Sequence, residues 1–99
     1  MKNELRAGDY VLATKWSDGD PLDHWYVGFF VGTLQKDFED RYEVADEAGK
    51  LARGNGFRRV KKISRERGKW ILEHKDEIEN GSKSVWWWVR QKMVRSEAK

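Results

Sequence analysis

The sequence predicts one mainly β domain over residues 1–99, with five short strands curling into a small barrel and one helix inserted before the last strand. Three observations carry this expectation. Apolar and polar residues alternate with a period of two over residues 10–16, 41–46 and 57–63, as in strands with a buried face. The longest apolar run, residues 25–34, contains Gly28 and Gly32, and glycine inside a strand marks a bulge or a close backbone approach. A long strand that bends is how a small sheet closes on itself. Only residues 69–80 carry a helical stripe.

In the first strand, 10–16, Tyr10, Leu12, Thr14 and Trp16 fall on one face and Val11, Ala13 and Lys15 on the other. Residues 1–7 read as a frayed lead-in, and 17–23 (SDGDPLD) has the composition of a turn. In the second strand, 25–34, both glycines share a face with Tyr26, Phe30 and Leu34. A polar connection (35–40) leads to a third strand, 41–46, with Tyr42 and Val44 inward. Residues 47–56 read as a loop or an open hairpin tip. The fourth strand, 57–63, alternates too, although the triplet spacing of Phe57, Val60 and Ile63 also fits a helix.

Ser64 is a candidate helix N-cap and Gly81 a candidate residue just past a helix end. Trp70, Ile71, His74 and Ile78 make the apolar stripe between them, and Glu73, Asp76, Glu77 and Glu79 an acidic outer face. Gly68 interrupts the first turn, so the regular helix is expected over 69–80. The fifth strand is expected over 84–90, with Val85, Trp87 and Val89 on one face and Trp86, Trp88 and Arg90 on the other. A helix there would carry aromatics around much of its circumference, more than a small domain covers easily. The tail from Val94 is expected to be disordered.

A chain of 99 residues with 38% hydrophobic and 37% charged residues has a small core, which six tryptophans enlarge. The absence of cysteine excludes disulfides, thiolate metal sites and cysteine nucleophiles, and fits a reducing, cytoplasmic setting. No apolar run is long enough to span a bilayer, and the first residues lack the apolar region of a signal peptide, so no membrane partner is expected. Charge is divided along the chain: residues 1–50 carry a balance of −5 and residues 51–99 a balance of +8. The basic residues concentrate in Arg53, Arg58, Arg59, Lys61, Lys62, Arg65, Arg67 and Lys69, with Glu66 the one acid among them.

Gly8, Val11, Ala13, Trp16, Asp18, Gly19, Trp25, Tyr26 and Gly28, followed by Tyr42, Val44, Asp46 and Gly49, form a pattern that resembles the Tudor-type SH3-like barrel over residues 8–49. In that family four aromatics commonly cage a methylated lysine or arginine by cation–π attraction. The resemblance carries over two cage positions, Trp16 and Tyr26. The other two positions hold Ala45 and Glu47 or Ala48, so half the cage is absent. The two rings are more readily read as half-buried residues of a barrel rim than as part of a complete cage. The small barrel also looks like folds that phages and bacteria use for short accessory or inhibitor proteins.

His24 and His74 are far apart in sequence and no cysteine accompanies either, and no P-loop, G-x-S-x-G or dinucleotide motif occurs. Asp18, Asp20 and Asp23 lack the spacing and closing glutamate of a calcium loop and read as a solvated turn. A binding module without catalytic residues, metal or cofactor is therefore expected. The leading expectation is DNA or RNA binding, with the eight basic residues from Arg53 to Lys69 on phosphates and Trp16, Tyr26, Trp86 and Trp88 available to stack on bases or contact a partner. The alternative is a protein or peptide partner held by the rim aromatics, with the acidic turn selecting a basic ligand. The tryptophan triplet could also pack against a second copy, and the oligomeric state stays open. The arrangement of charge in space decides between the first two. A continuous basic patch beside exposed rings favours nucleic acid, and interleaved acids favour protein.

Overall fold

A computed structural model describes residues 5–16, 24–36, 38–52 and 56–97, with side chains through Gln91. The elements are β1 (Tyr10–Thr14), β2 (Trp25–Lys36), β3 (Glu39–Ala45), β4 (Arg59–Lys62), α1 (Arg65–Glu73), α2 (Lys75–Asn80) and α3 (Val85–Glu97). The four strands form one open antiparallel sheet in the order β3-β2-β1-β4. The four strands expected up to residue 63 are present with shifted ends. The expected fifth strand over 84–90 is not: a helix starts at Val85 and continues through Glu97, taking in residues 94–97 of the tail expected to be disordered. Without that strand the sheet does not become a five-stranded barrel. Its outer strands instead approach through one bridge ahead of β4, where Tyr42 and Phe57 exchange both backbone hydrogen bonds at 2.8 and 2.9 Å. Residues 17–23, expected as a turn, and residues 53–55, including Arg53, lie outside the described residues.

The alternation in β1 sorts its side chains between two cores rather than between core and water. Leu12 joins Ile63, Ile71, Ile78, Val85, Trp86 and Val89 under the helices. Val11 and Ala13 join Phe30, Val44, Ala52 and Phe57 on the opposite face. Val11, Leu12, Ala13 and Thr14 are consequently all fully buried. A centre strand covered on both faces lets a small apolar complement fill two layers.

The bend in β2 has two separate causes. A Cβ on Gly28 would lie 2.6 Å from the Ala45 carbonyl oxygen, so glycine is needed there for β3 to approach. The register then slips between Phe30 and Gly32, the signature of a bulge, and Val31 is exposed. The slip reverses which face the later residues occupy: Thr33 pairs with the inward Tyr42, and Leu34 pairs with Arg41. Leu34 and Gly32 therefore leave the face of Phe30 that simple alternation assigns them.

Helix α1 starts earlier than the expected 69–80 span. Ser64 caps it, its hydroxyl accepting from the Arg67 N–H at 3.1 Å. Gly68 is inside the helix because the Tyr10 ring lies where a Cβ would be. At His74 the helix breaks into α1 and α2. The His74 N–H is shared between the Trp70 and Ile71 carbonyls, and its Nδ1 donates to the Trp70 carbonyl at 2.8 Å while the ring stacks on Trp70. Gly81 ends α2 in an extended rather than left-handed conformation. Ser84 precedes α3 as Ser64 precedes α1, accepting from the Trp87 N–H through both its carbonyl and its hydroxyl. Val85, Trp86 and Val89 then face the sheet.

Replacing Gly68 by Ala ordinarily favours an exposed helix by about 1 kcal/mol. Here the Tyr10 ring is packed against Phe29 and under Arg65, so it has little freedom to retreat. Gly68→Ala is expected to lose about 1–3 kcal/mol in urea denaturation, the usual range for overpacking. A gain in stability would contradict the packing of α1 on β1.

Candidate functional site

The last turn of β1 is fixed by a hydroxyl. Thr14 is buried; its Oγ1 donates to the Trp16 carbonyl at 2.7 Å and accepts from the Trp86 indole N–H at 3.0 Å. The chain leaves the sheet at that point, and Trp16 stands at its end with 48% of its surface exposed. Thus α3, through Trp86, holds the base from which Trp16 projects.

Arg58 lies against Trp16. Its N–H bonds the Thr14 carbonyl at 3.1 Å, and its guanidinium carbon sits 4.4 Å from the centre of the indole. Such stacking contributes roughly 0.5–1 kcal/mol at a partly exposed site. The same guanidinium reaches Glu39 Oε2 at 3.1 Å, and Arg41 reaches that oxygen at 2.8 Å. The hydrogen bond from Arg41, with the nearby charge of Arg58, holds the Glu39 carboxyl below its ordinary range. Glu39 follows Phe38, which has φ 65 and a fully solvated ring. The β2–β3 connection is a tight turn closed by the Lys36–Glu39 pair, where glycine or asparagine is the usual left-handed residue. A phenylalanine there is strained by about 1–2 kcal/mol. Two exposed aromatics, Trp16 and Phe38, are thereby linked through the Arg58–Glu39–Arg41 cluster.

The expected basic site is dispersed. Arg58 is committed to Trp16 and Glu39. Arg59 stacks at 4.2 Å on Trp86, on the helix-covered face of the sheet. Arg65 covers Tyr10 and Phe29 at the opposite end of β1. Lys62 is 3.8 Å from Asp9. Lys61 and Lys69 are exposed and Arg67 half-buried. Arg53 and the acidic turn of Asp18, Asp20 and Asp23 lie outside the described residues.

The expected rings divide as well. Trp86 is 3% exposed, so it is a core residue rather than the exposed ring a strand would have presented. Trp88 is half-buried against Trp70. Tyr26 stacks on Phe57, as His24 does. Burial, and then the charge of Asp46, raises the Tyr26 phenol pKa. Ala45 is buried, and Glu47 and Ala48 are exposed in the turn after it, so the rings that would complete a cage with Trp16 and Tyr26 do not occur there. Among the described residues, no three His, Asp or Glu side chains converge as a metal site, and no helix is long and apolar enough to cross a membrane.

Sequence reasoning passed over Phe38 and Glu39 as part of a polar connection. The signal was a bulky apolar residue where a two-residue turn wants glycine.

The lowered Glu39 pKa has a pH signature. A carboxylate held below its unfolded value stabilises the fold above that value and loses the contribution as pH falls through the folded one. The stability difference between wild type and Glu39→Gln is expected to be full at neutral pH and to close at acid pH in urea denaturation. A difference independent of pH would contradict the ion pairs.

Searches against family models, curated proteins and solved structures match nothing to this chain, which leaves the geometry of the site as the ground for its function.

Proposed function

We propose that this chain is a non-enzymatic, cytoplasmic protein-interaction module that docks through Trp16 and Phe38, which the contacts of Arg58 with Trp16 and Glu39 relate to each other. The observation that carries the proposal is the fully exposed Phe38 ring on a strained turn. Apolar surface and backbone strain both disfavour this residue in the free protein, and residues kept against both are drawn to binding sites. Tryptophan, arginine and other aromatics also dominate the energetics of protein interfaces. Glu39 interleaved between Arg41 and Arg58 favours a protein over a polyanion. We further propose kinship with Tudor-type SH3-like barrels, supported by the bent β2 and the Tyr42–Phe57 bridge.

Nucleic-acid binding is the second reading, favoured by exposed Lys61 and Lys62 on the edge strand and by Arg65 and Lys69 on α1. It requires steep salt dependence and a uniform loss of affinity in an Arg58→Ala plus Arg59→Ala variant.

The two readings separate by experiment. Protein capture from a lysate of the source cells is compared for wild type, Trp16→Ala, Phe38→Gly and the exposed-residue control Leu72→Ala. Docking through the aromatic end predicts that the first two substitutions abolish recovery and that Leu72→Ala leaves it intact. Phe38→Gly is also expected to raise stability by about 1 kcal/mol, the strain it relieves. Equal recovery by all four, with a shift of mixed DNA or RNA at about 50 mM salt, would replace this reading by the second.

A further inference from the structure

We infer that Arg41 and Arg58 form a carboxylate-binding site that Glu39 fills in the free protein, and that an acidic side chain of a protein partner takes it over on docking. The identity of the occupant rests on the protein-docking reading above. The cluster holds two guanidiniums against one carboxylate, and a single oxygen, Glu39 Oε2, serves both, at 2.8 and 3.1 Å. Arg41 Nε and Arg58 Nε are buried and have no acceptor among the described residues. A buried donor left without an acceptor costs about 1–3 kcal/mol, and more when charged. Two such donors in one ion cluster mark a place where a further acceptor belongs.

The cations are fixed and the anion is replaceable. The Arg41 side chain is 9% exposed, and Arg58 is held by its stacking on Trp16. The Glu39 side chain is 47% exposed and sits beside Phe38 at the hairpin tip. Prearranged donors with a displaceable internal ligand bind an incoming group without the entropy of ordering themselves. An incoming carboxylate can give one oxygen to each guanidinium, whereas Glu39 serves both with a single oxygen. Carboxylate rather than phosphate is the chemistry the pair already holds. Trp16 stacks on Arg58 and Phe38 precedes Glu39 in the chain, so one partner segment carrying an acid among apolar residues would engage the cluster and both rings.

The test needs no partner. The Nε–H signals of Arg41 and Arg58 are followed by NMR in wild type and Glu39→Gln during titration with glutarate and, separately, inorganic phosphate. In Glu39→Gln, glutarate is expected to shift both signals saturably, with a dissociation constant about tenfold or more below that of wild type, where the tethered Glu39 competes. If the Gln variant does not fold, Glu39→Asp is used, and glutarate is expected to bind it more tightly than wild type because the shorter carboxylate reaches less far. Absence of a saturable shift in the folded variant overturns the site. A response to phosphate alone overturns the carboxylate assignment. If partner capture depends on Trp16 and Phe38 while glutarate moves neither signal, this inference fails and the docking reading stands. If glutarate binds but capture ignores both rings, the docking reading fails and takes the proposed occupant with it.

Discussion

One hydrogen bond joins the two layers of this protein to its exposed end. The Trp86 indole N–H donates to Thr14 Oγ1, and the same hydroxyl donates to the Trp16 carbonyl. A hydroxyl can accept and donate at once, so threonine at the last position of β1 couples α3 to the point where the chain leaves the sheet. Remove the hydroxyl and a buried indole donor is left without a partner, at about 1–3 kcal/mol. The position of Trp16, and of Arg58 stacked on it, depends on this contact.

The sheet around that bond is economical. With β1 buried on both faces, short strands and three helices share one apolar complement. The aromatic rings at the margins of both cores are covered by guanidiniums: Arg58 on Trp16, Arg59 on Trp86, and Arg65 on Tyr10 and Phe29. Arginine suits this because its planar, weakly hydrated head lies flat on a ring while its stem packs on apolar surface. In so polar a sequence, part of the basic density is therefore structural. Arg58, Arg59 and Arg65, neighbours in a basic run along the chain, accordingly lie against different rings.

The strands up to residue 63 were legible because alternation and turn composition are local signals, and β1 through β4 show both. Gly28 was legible as a site of close approach, and the Ala45 carbonyl beside it bears this out. The bulge after Phe30 was not, because a register slip depends on the neighbouring strand. Residues 84–90 misled for a physical reason: three consecutive tryptophans alternate well enough for a strand, and what covers them was invisible. Trp86 is buried under Arg59, Trp88 packs on Trp70, and Trp87 meets Trp88 edge-on beside Lys83. Ser84 as a cap before Val85 and Trp86 was the overlooked helix signal. At the candidate site Trp16 could be found from sequence. The partnership of Arg58 with Glu39 could not, since it joins the start of β3 to the residue before β4, which come together only at the Tyr42–Phe57 bridge.

The central claim is that α3 docks on the sheet through Trp86 and so sets the exposed end. Hydrogen exchange of the indole N–H groups, read by NMR, tests it directly. A donor bonded to a buried hydroxyl exchanges only when the layers separate, so the Trp86 indole is expected to be protected to nearly the free energy of global unfolding. Exchange of the Trp86 indole as fast as that of an unprotected tryptophan peptide would contradict the account.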